Sequence, residues 1–339
     1  MPSQSIANRR IITLLKFAIG ITAIALLAHF NLIDLALFEK ASKHPSLVAL
    51  SFVLLISTVF IGAYRWKLLL RSLRVRLSFI QAFNYTFIGQ FFNVFLPGAY
   101  GGDFIRGGLA YRQDKTKLTQ IAVSSLVDRL TGLLGLILIS LVVVLFLPTQ
   151  FQQGVAVVAG TGIVIFSLSF FILIRFQNLF RQIINCFPNA ISGILMRIFN
   201  AVVVNLEHFV DHKRSLIFAV FLSIIQYVII LQALFLIGQA MDIDSLTWTG
   251  FAVSGVAGLF ANAIPVSPGG LGLGEAAFGQ IARFFETHTN EIAYSSVFLF
   301  LRSLTLCVAV IGLVPFIIMR DEVKVLTEKN EMEAAEQKN

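Results

Sequence analysis

The sequence predicts an all-α polytopic membrane protein, with about six full spans and two re-entrant hairpins that enter the bilayer from opposite faces. Three observations predict this fold. The chain of 339 residues is 57% hydrophobic, with a mean hydropathy of +0.84 and only 13% charged residues. Several windows of more than 18 residues carry almost no charge, which is typical of membrane-spanning helices and not of soluble domains. Two further apolar segments run into clusters of glycine and proline, which interrupt helices.

Six apolar segments are long enough to span a bilayer as helices. They are residues 11–30, 47–64, 122–147, 154–174, 216–238 and 293–319. The first follows Arg9 and Arg10 and has no small-residue cleavage site behind it, so we interpret it as a retained span rather than a signal peptide. The two interrupted apolar segments are residues 79–96 and 249–264.

The basic residues indicate how the chain is threaded through the membrane. If the six spans cross and the two interrupted segments turn back, the basic residues around the spans all fall on one side. They are Arg9, Arg10, Lys16, Arg65, Lys67, Arg71, Arg74, Arg76, Arg112, Lys115, Lys117, Arg175, Arg181, Lys213, Arg214, Arg320 and Lys324. The positive-inside rule then places both termini in the cytoplasm. Full crossing of the two segments would scatter the basic loops over both faces, so we expect two hairpins from opposite faces and an inverted repeat.

We expect residues 1–320 to form one transmembrane domain. Within it, residues 175–214 have mixed polarity and are predicted to be a cytoplasmic amphipathic segment. Residues 321–339 are predicted to form a charged cytoplasmic tail. Cys186 and Cys307 lack a metal-like spacing, and the sequence contains no P-loop, HExxH motif or Ser-His-Asp triad. We therefore expect no metal, no cofactor and no enzymatic activity.

Two matching motifs mark the interruptions of the apolar segments. Each has an asparagine a few residues before a proline, then several glycines, then one carboxylate. The first comprises Asn93, Pro97, Gly98, Gly101, Gly102, Asp103 and Arg106. The second comprises Asn262, Pro265, Pro268, Gly269, Gly270, Gly272, Gly274 and Glu275. Helix breakers and charges are costly at membrane depth unless they line a protected cavity, so the repeated pattern predicts a transport-type site built from two broken helices.

Each motif is followed by an arginine inside an apolar helix. Arg129, directly after Asp128, and Arg302 each lie about 26 residues beyond the carboxylate of the preceding motif. An arginine within a membrane span is a candidate functional residue. A guanidinium offers a planar fork of donors that suits a phosphate group.

These motifs resemble those of the lysylphosphatidylglycerol synthase transmembrane, or flippase-like, family. The matching residues are the first motif, the pair Asp128-Arg129 and the run from Pro265 to Glu275, and the resemblance covers roughly residues 16–320. The resemblance implies a domain that moves polar-headed lipids between leaflets. In larger members this domain is fused to a soluble aminoacyl-transferase that charges phosphatidylglycerol. We expect this chain to be a stand-alone member without that synthase activity.

The glycines before each returning helix predict a phosphate-binding site. Exposed backbone N–H groups and the positive N-terminus of a helix form a concavity that suits an anion. The predicted substrate-binding residues are Asn93, Gly98, Gly101, Gly102, Asp103, Arg106, Asp128, Arg129, Asn262, Gly269, Gly270, Gly272, Glu275 and Arg302.

Structural alternatives stay open for the same residues. The glycines can simply permit a tight turn and close packing, with the carboxylates as helix caps. Arg129 can pair with Asp103, and Arg302 with Glu275. Arg106 can extend to the cytoplasmic surface. The carboxylates can also carry protons, because desolvation raises carboxyl pKa values.

We therefore expect a transporter or flippase in the bacterial inner membrane that moves a polar-headed, phosphate-bearing lipid, with proton coupling as one form of the mechanism. The alternatives are an integral membrane enzyme that acts on lipid phosphates, and a membrane partner of a separate lipid-modifying synthase. The expected partners are a membrane lipid and such an enzyme. No nucleic acid partner is expected, because the topology accounts for the net charge of +8.

Overall fold

A computed structural model describes residues 29, 34, 36–95, 101–113, 118–145, 192–193, 196, 199–200, 209, 213–263, 271–286 and 293–319. Ten α-helices are delimited in this part, and it contains no strand. They are α1 (Ala36–Lys43), α2 (Pro45–Ser72), α3 (Phe79–Phe95), α4 (Gly101–Gln113), α5 (Leu118–Val144), α6 (Lys213–Ala240), α7 (Trp248–Ala263), α8 (Leu273–Phe284), α9 (Ser295–Ile311) and α10 (Leu313–Ile318). The all-α prediction is therefore confirmed for the described residues.

Four helical segments are long and apolar enough to cross a membrane. They are α2, α5, α6 and the continuous stretch Ser295–Ile318 formed by α9 and α10. They coincide with four of the six predicted spans. The other two predicted spans, 11–30 and 154–174, lie outside the described residues except for position 29. The same holds for the tail 321–339 and for most of the segment 175–214.

The chain divides into two compact units. Unit 1 comprises residues 1–61, 83–109 and 226–339, and unit 2 comprises residues 62–82 and 110–225. Both interrupted segments belong to unit 1, apart from the first turn of α3 and the last turn of α4. Unit 2 contains α5 together with the end of α2 and the start of α6.

The first interrupted segment folds into a pair of antiparallel helices, α3 and α4, which we call the first hairpin. Asn93 near the end of α3 contacts Gly102 at the start of α4, and Gly89 one turn earlier lies against Arg106 one turn later. Contacts that move in opposite directions along the two helices require an antiparallel arrangement. A helix of 17 residues such as α3 is about 25 Å long, shorter than the roughly 30 Å apolar core of a bilayer.

The second interrupted segment forms the second hairpin, α7 and α8, in the same way. Asn262 at the end of α7 lies against Gly274 at the start of α8, and Gly250 at the start of α7 lies against Phe285 just beyond α8. The helices contain 16 and 12 residues, and both are again shorter than a bilayer span. These lengths suit helices that turn back within the membrane, and re-entry itself stays a prediction.

The helices that precede the two hairpins pack against each other in unit 1. Ser51 Oγ of α2 donates to the carbonyl of Ala233 at 3.4 Å, and Gln226 Nε2 of α6 donates to the carbonyl of Thr58 at 3.2 Å. As numbers rise along α2 they fall along α6, so the two helices run antiparallel. Each of these two helices is followed along the chain by a hairpin and then by another long helix.

A hydrogen bond holds the open end of the second hairpin. Ser245, which precedes α7, shares a 2.7 Å hydrogen bond with the hydroxyl of Tyr294, which precedes α9. Burial and, to a smaller extent, the nearby Glu286 carboxylate raise the pKa of Tyr294 to about 12, so this hydroxyl stays protonated. The open end of the hairpin is thereby held to the start of the next span.

The direction in which α2 crosses the membrane is directly testable. Ser42 and Arg76 are exposed positions beyond the two ends of α2. In a background with Cys186→Ser and Cys307→Ser, we expect a cysteine at position 42 to react with an impermeant thiol reagent added to intact cells. A cysteine at position 76 should react only after the membrane is opened, because the basic loop is predicted to be cytoplasmic. Labelling of position 76 in intact cells would overturn the predicted topology.

Candidate functional site

A buried ion pair joins the second hairpin to the span that follows it. Glu275, in the first turn of α8, is fully buried, and the side chain of Arg302 from α9 is 14% exposed. Arg302 Nε lies 2.5 Å from Glu275 Oε1, which makes the two groups an ion pair. The angle between these two atoms does not meet the geometry of a hydrogen bond. The predicted alternative of an Arg302–Glu275 pair is therefore confirmed as a contact.

The same carboxylate also caps α8. The backbone at Gly272 has φ 84°, a left-handed conformation that favours glycine, and its N–H donates to Glu275 Oε2 at 2.8 Å. Glu275 thus uses one oxygen for the helix N-terminus and the other for Arg302. The sequence predicts that backbone N–H groups here are available to bind an anion. At Gly272, however, the N–H already donates to the side chain of Glu275.

Asn262 completes the cluster. Its Oδ1 accepts a hydrogen bond from Arg302 Nη2 at 2.9 Å, and its side chain packs against Gly274, where any Cβ would overlap that same oxygen. Gly274 is therefore required for Asn262 to reach the arginine. The sequence-based list of site residues contains Gly272 but not Gly274. The sequence does mark Gly274, because it directly precedes Glu275 just as Gly102 directly precedes Asp103.

The first hairpin repeats part of this arrangement. Asn93 Oδ1 accepts the backbone N–H of Gly102 at 2.9 Å, and Gly102 lies so close to Gly89 that a Cβ would overlap the carbonyl of Gly89. Asp103 Oδ1 lies 3.1 Å from Arg106 Nε, one turn later in the same helix. In both hairpins an asparagine contacts the glycine that directly precedes the carboxylate. The arginine, however, comes from α4 itself in the first hairpin and from the following span in the second.

Arg106 is buried rather than extended to a surface. Its side chain is 7% exposed and lies over Gly89. The sequence left open whether Arg106 contributes to the site or extends to the cytoplasmic surface. The structure places it between the two helices of the first hairpin. Gly101 begins α4 and is half-buried, whereas Gly98, Gly269 and Gly270 lie outside the described residues.

Asp128 and Arg129 have different surroundings in unit 2. Asp128 is buried, and its Oδ1 accepts a 2.7 Å hydrogen bond from Arg65 Nε of α2. Arg65 also donates from Nη1 to Ser223 Oγ of α6 at 2.7 Å. Arg129, by contrast, is exposed. The structure therefore separates two adjacent residues that the sequence assigns to one site.

Arg65 corrects one boundary of the sequence analysis. The predicted span ends at residue 64 and places Arg65 in the following basic loop. In the structure α2 continues to Ser72, and Arg65 lies within it, 8% exposed. The charge is tolerated inside the helix because Asp128 neutralises it and Ser223 accepts a further hydrogen bond.

The cluster of Asn262, Glu275 and Arg302 presents a guanidinium whose positive charge a carboxylate of the protein already neutralises. The guanidinium is oriented by Asn262 and neutralised by Glu275, and an anion that displaces the carboxylate would meet a pre-positioned donor fork. Among the described residues, no group of three or more His, Cys, Asp or Glu side chains is placed to hold a metal ion.

Comparison with known proteins agrees with the resemblance. The family model for the lysylphosphatidylglycerol synthase TM region matches residues 13–313, which include both hairpins, α5 and Arg302. Comparison with curated proteins and with solved structures found no match to the chain. The matched range covers most of the sequence and all four spans of the described part except residues 314–318. The chain is therefore a multi-pass membrane protein that belongs to the lysylphosphatidylglycerol synthase TM region family.

Proposed function

We propose that the protein is a lipid transporter, or flippase, that moves a polar-headed, phosphate-bearing lipid between the leaflets of the bacterial inner membrane. One observation carries the proposal: a fully buried carboxylate at the tip of a helical hairpin holds an arginine of an apolar span, and Asn262 orients that arginine. Charged groups inside a membrane domain are costly and are typical of substrate or ion pathways. Family membership supports a role in lipid handling.

The chemistry of the cluster suggests how a phosphate would be bound. A lipid phosphate would compete with Glu275 for the Arg302 guanidinium, which can donate two parallel hydrogen bonds to it. Asn262 would keep Nη2 in place while the carboxylate leaves. A proton taken up by Glu275 would remove the competing negative charge, so proton uptake and phosphate binding would favour each other. This exchange is the form of proton coupling that we propose.

The order of the elements supports an inverted repeat. Within the described residues, α2, the first hairpin and α5 are followed by α6, the second hairpin and α9, so the order helix, hairpin, helix occurs twice there. The first helices of the two sets, α2 and α6, pack antiparallel, as an inverted pair requires. We propose that the hairpins re-enter from opposite faces and that the protein works by alternating access, as transporters with such repeats do.

We further propose that the role is not enzymatic. Each of the carboxylates Asp103, Asp128 and Glu275 contacts an arginine. Such pairing neutralises charge within the protein, whereas a general base needs a carboxylate that contacts a nucleophile or its water. A lipid-modifying enzyme would then be a separate partner rather than part of this chain.

Reconstitution tests the proposed function. Purified protein in proteoliposomes should move head-group-labelled phosphatidylglycerol or its lysyl ester from the inner to the outer leaflet, measured by quenching with an impermeant reagent, and an imposed pH gradient should change the rate. Mass spectrometry of the same lipids should find unchanged head groups. Protein-free vesicles and vesicles with Arg302→Gln are the controls. Chemically altered head groups, or no movement of any anionic lipid above the protein-free rate, would contradict the proposal.

A further inference from the structure

We propose that Arg65, Asp128 and Ser223 form a polar lock in unit 2 that fixes the rotation of α5 about its axis and so sets the direction in which Arg129 points. Each residue comes from a different helix, α2, α5 and α6. The relevance of this lock to transport rests on the proposed function, since Arg129 is a predicted lipid contact. The effect of the lock on the orientation of α5 does not depend on that function.

The lock is buried and its geometry is specific. The side chains of Arg65 and Asp128 are 10% and 7% exposed. Arg65 donates from Nε to Asp128 and from Nη1 to Ser223, each at 2.7 Å, and Ser223 Oγ donates to the carbonyl of Ala219 in its own helix at 2.9 Å. One guanidinium therefore bridges all three helices. Hydrogen bonds of this kind depend strongly on direction, so they restrain the rotation of α5 more tightly than apolar contacts alone.

Further contacts along α5 keep the same face against α2 and α6. One turn before Asp128, Ser124 Oγ accepts a 3.2 Å hydrogen bond from the indole N–H of Trp66, and both residues are fully buried. Two turns after Asp128, Gly135 touches Ser223 so closely that a Cβ would lie 2.5 Å from the serine Cβ. Residues 124, 128 and 135 are spaced by four and seven, which places them on one side of a helix.

The rotational phase of α5 decides the exposure of Arg129. Successive residues of an α-helix point about 100° apart, so a helix with residue 128 held inward directs residue 129 away from the lock. Ala122, Leu126 and Arg129 are all exposed, and their spacing of four and three marks the opposite stripe of α5. Removing the lock would leave α5 held by the Trp66–Ser124 hydrogen bond and by packing such as Gly135 against Ser223, so its rotation would be less tightly restrained.

Cysteine accessibility measures this orientation directly. In a background with Cys186→Ser and Cys307→Ser, Arg129→Cys reports the outward stripe. Thr131→Cys reports the inward side, because Thr131 is 3% exposed. The ratio of their labelling rates with a small charged thiol reagent, measured on purified protein in detergent, gives the orientation. Each reporter is then combined with Arg65→Met and Asp128→Leu, which remove both charges together so that no buried charge is left alone.

We expect the ratio to fall about tenfold when the lock is removed, as a loss of roughly 1.4 kcal/mol in orientational preference would produce. Arg65→Lys keeps the charge but not the donor fork, so it should give an intermediate ratio and serves if the double variant does not fold. Ser140→Ala is the matched control, since it removes a buried hydroxyl of α5 that donates to the carbonyl of Ile137 in the same helix.

If the ratio of labelling rates is unchanged in a folded double variant or in folded Arg65→Lys, the proposal is overturned. The network would then contribute to packing without setting the orientation of α5. The measurement involves no lipid, so it is separate from the test of transport. If the wild-type protein moves no lipid but the ratio falls as expected, the proposed function fails and the lock stands.

Discussion

Replacing Arg302 with Gln is expected to destabilise the protein and to weaken the proposed binding of lipid phosphate. The change leaves Glu275 fully buried beside a neutral side chain, and breaking a buried ion pair by removing one partner costs about 3–5 kcal/mol. A charge-assisted hydrogen bond contributes about 1.5–3 kcal/mol. Lipid binding should therefore weaken by roughly one to two orders of magnitude. Thermal unfolding in detergent and a lipid-binding titration measure the two effects.

Companion variants separate the structural role from the binding role. Glu275→Gln combined with Arg302→Gln leaves no buried charge, and the glutamine can still accept the N–H of Gly272, so stability should largely return. Arg302→Lys should bind lipid with an affinity between those of the Gln variant and the wild type, because it keeps the charge and loses the fork. Ser303→Ala, which removes a hydroxyl that bonds within α9, is the neighbouring control. If the double variant also regains transport, the ion pair is purely structural and Arg302 is not a lipid-binding residue.

The hairpins were predictable from the sequence because their signals are local. Asn93 and Gly102 are nine residues apart, and a proline with several glycines between two apolar segments strongly favours the end of a helix. The four spans in the described part were predictable for the same reason, because hydropathy is a property of consecutive residues. Local sequence therefore determines where the chain turns.

The partners of the charged residues were less predictable because they are distant. Hydropathy favours ending a span at its first arginine, yet α2 continues past Arg65 because Asp128 and Ser223, 63 and 158 positions further on, satisfy the guanidinium. Nothing in the sequence near Arg65 indicates either partner. The pair of Glu275 and Arg302 was foreseen only as one alternative, since spacing alone does not show which face of a helix meets which neighbour.

Symmetry between the two halves was also an incomplete guide. Arg129 and Arg302 follow the two carboxylates at nearly equal distance, which predicts equal roles. In the structure Arg302 pairs with Glu275, whereas Asp103 pairs with Arg106 of its own helix and Arg129 is exposed. Equal spacing along the chain does not fix the rotation of a helix, which depends on contacts such as that between Asp128 and Arg65.

The second large effect is expected at Gly102, where the first hairpin is most tightly packed. A Cβ at this position would overlap the carbonyl oxygen of Gly89 and lie 2.8 Å from Asn93 Cγ. Both obstacles are hard to move, because one is backbone and the other accepts the N–H of Gly102. Overpacking of this kind costs about 1–3 kcal/mol, so Gly102→Ala should lower the unfolding temperature and Gly102→Val, with its branched side chain, should lower it further.

A graded series makes the glycine prediction specific. A Cβ at Gly89 would meet Gly102 O at 3.0 Å, so Gly89→Ala should be milder than Gly102→Ala. Gly193 is an exposed helical glycine with nothing within 4 Å of its Cβ direction, so Gly193→Ala should be neutral or slightly stabilising. The unfolding temperature and the rate of lipid movement should both fall in the order Gly193, Gly89, Gly102. Wild-type stability and transport in Gly102→Val would show that α3 and α4 do not approach each other at this point, and that the glycine is a spacer rather than part of the hairpin contact.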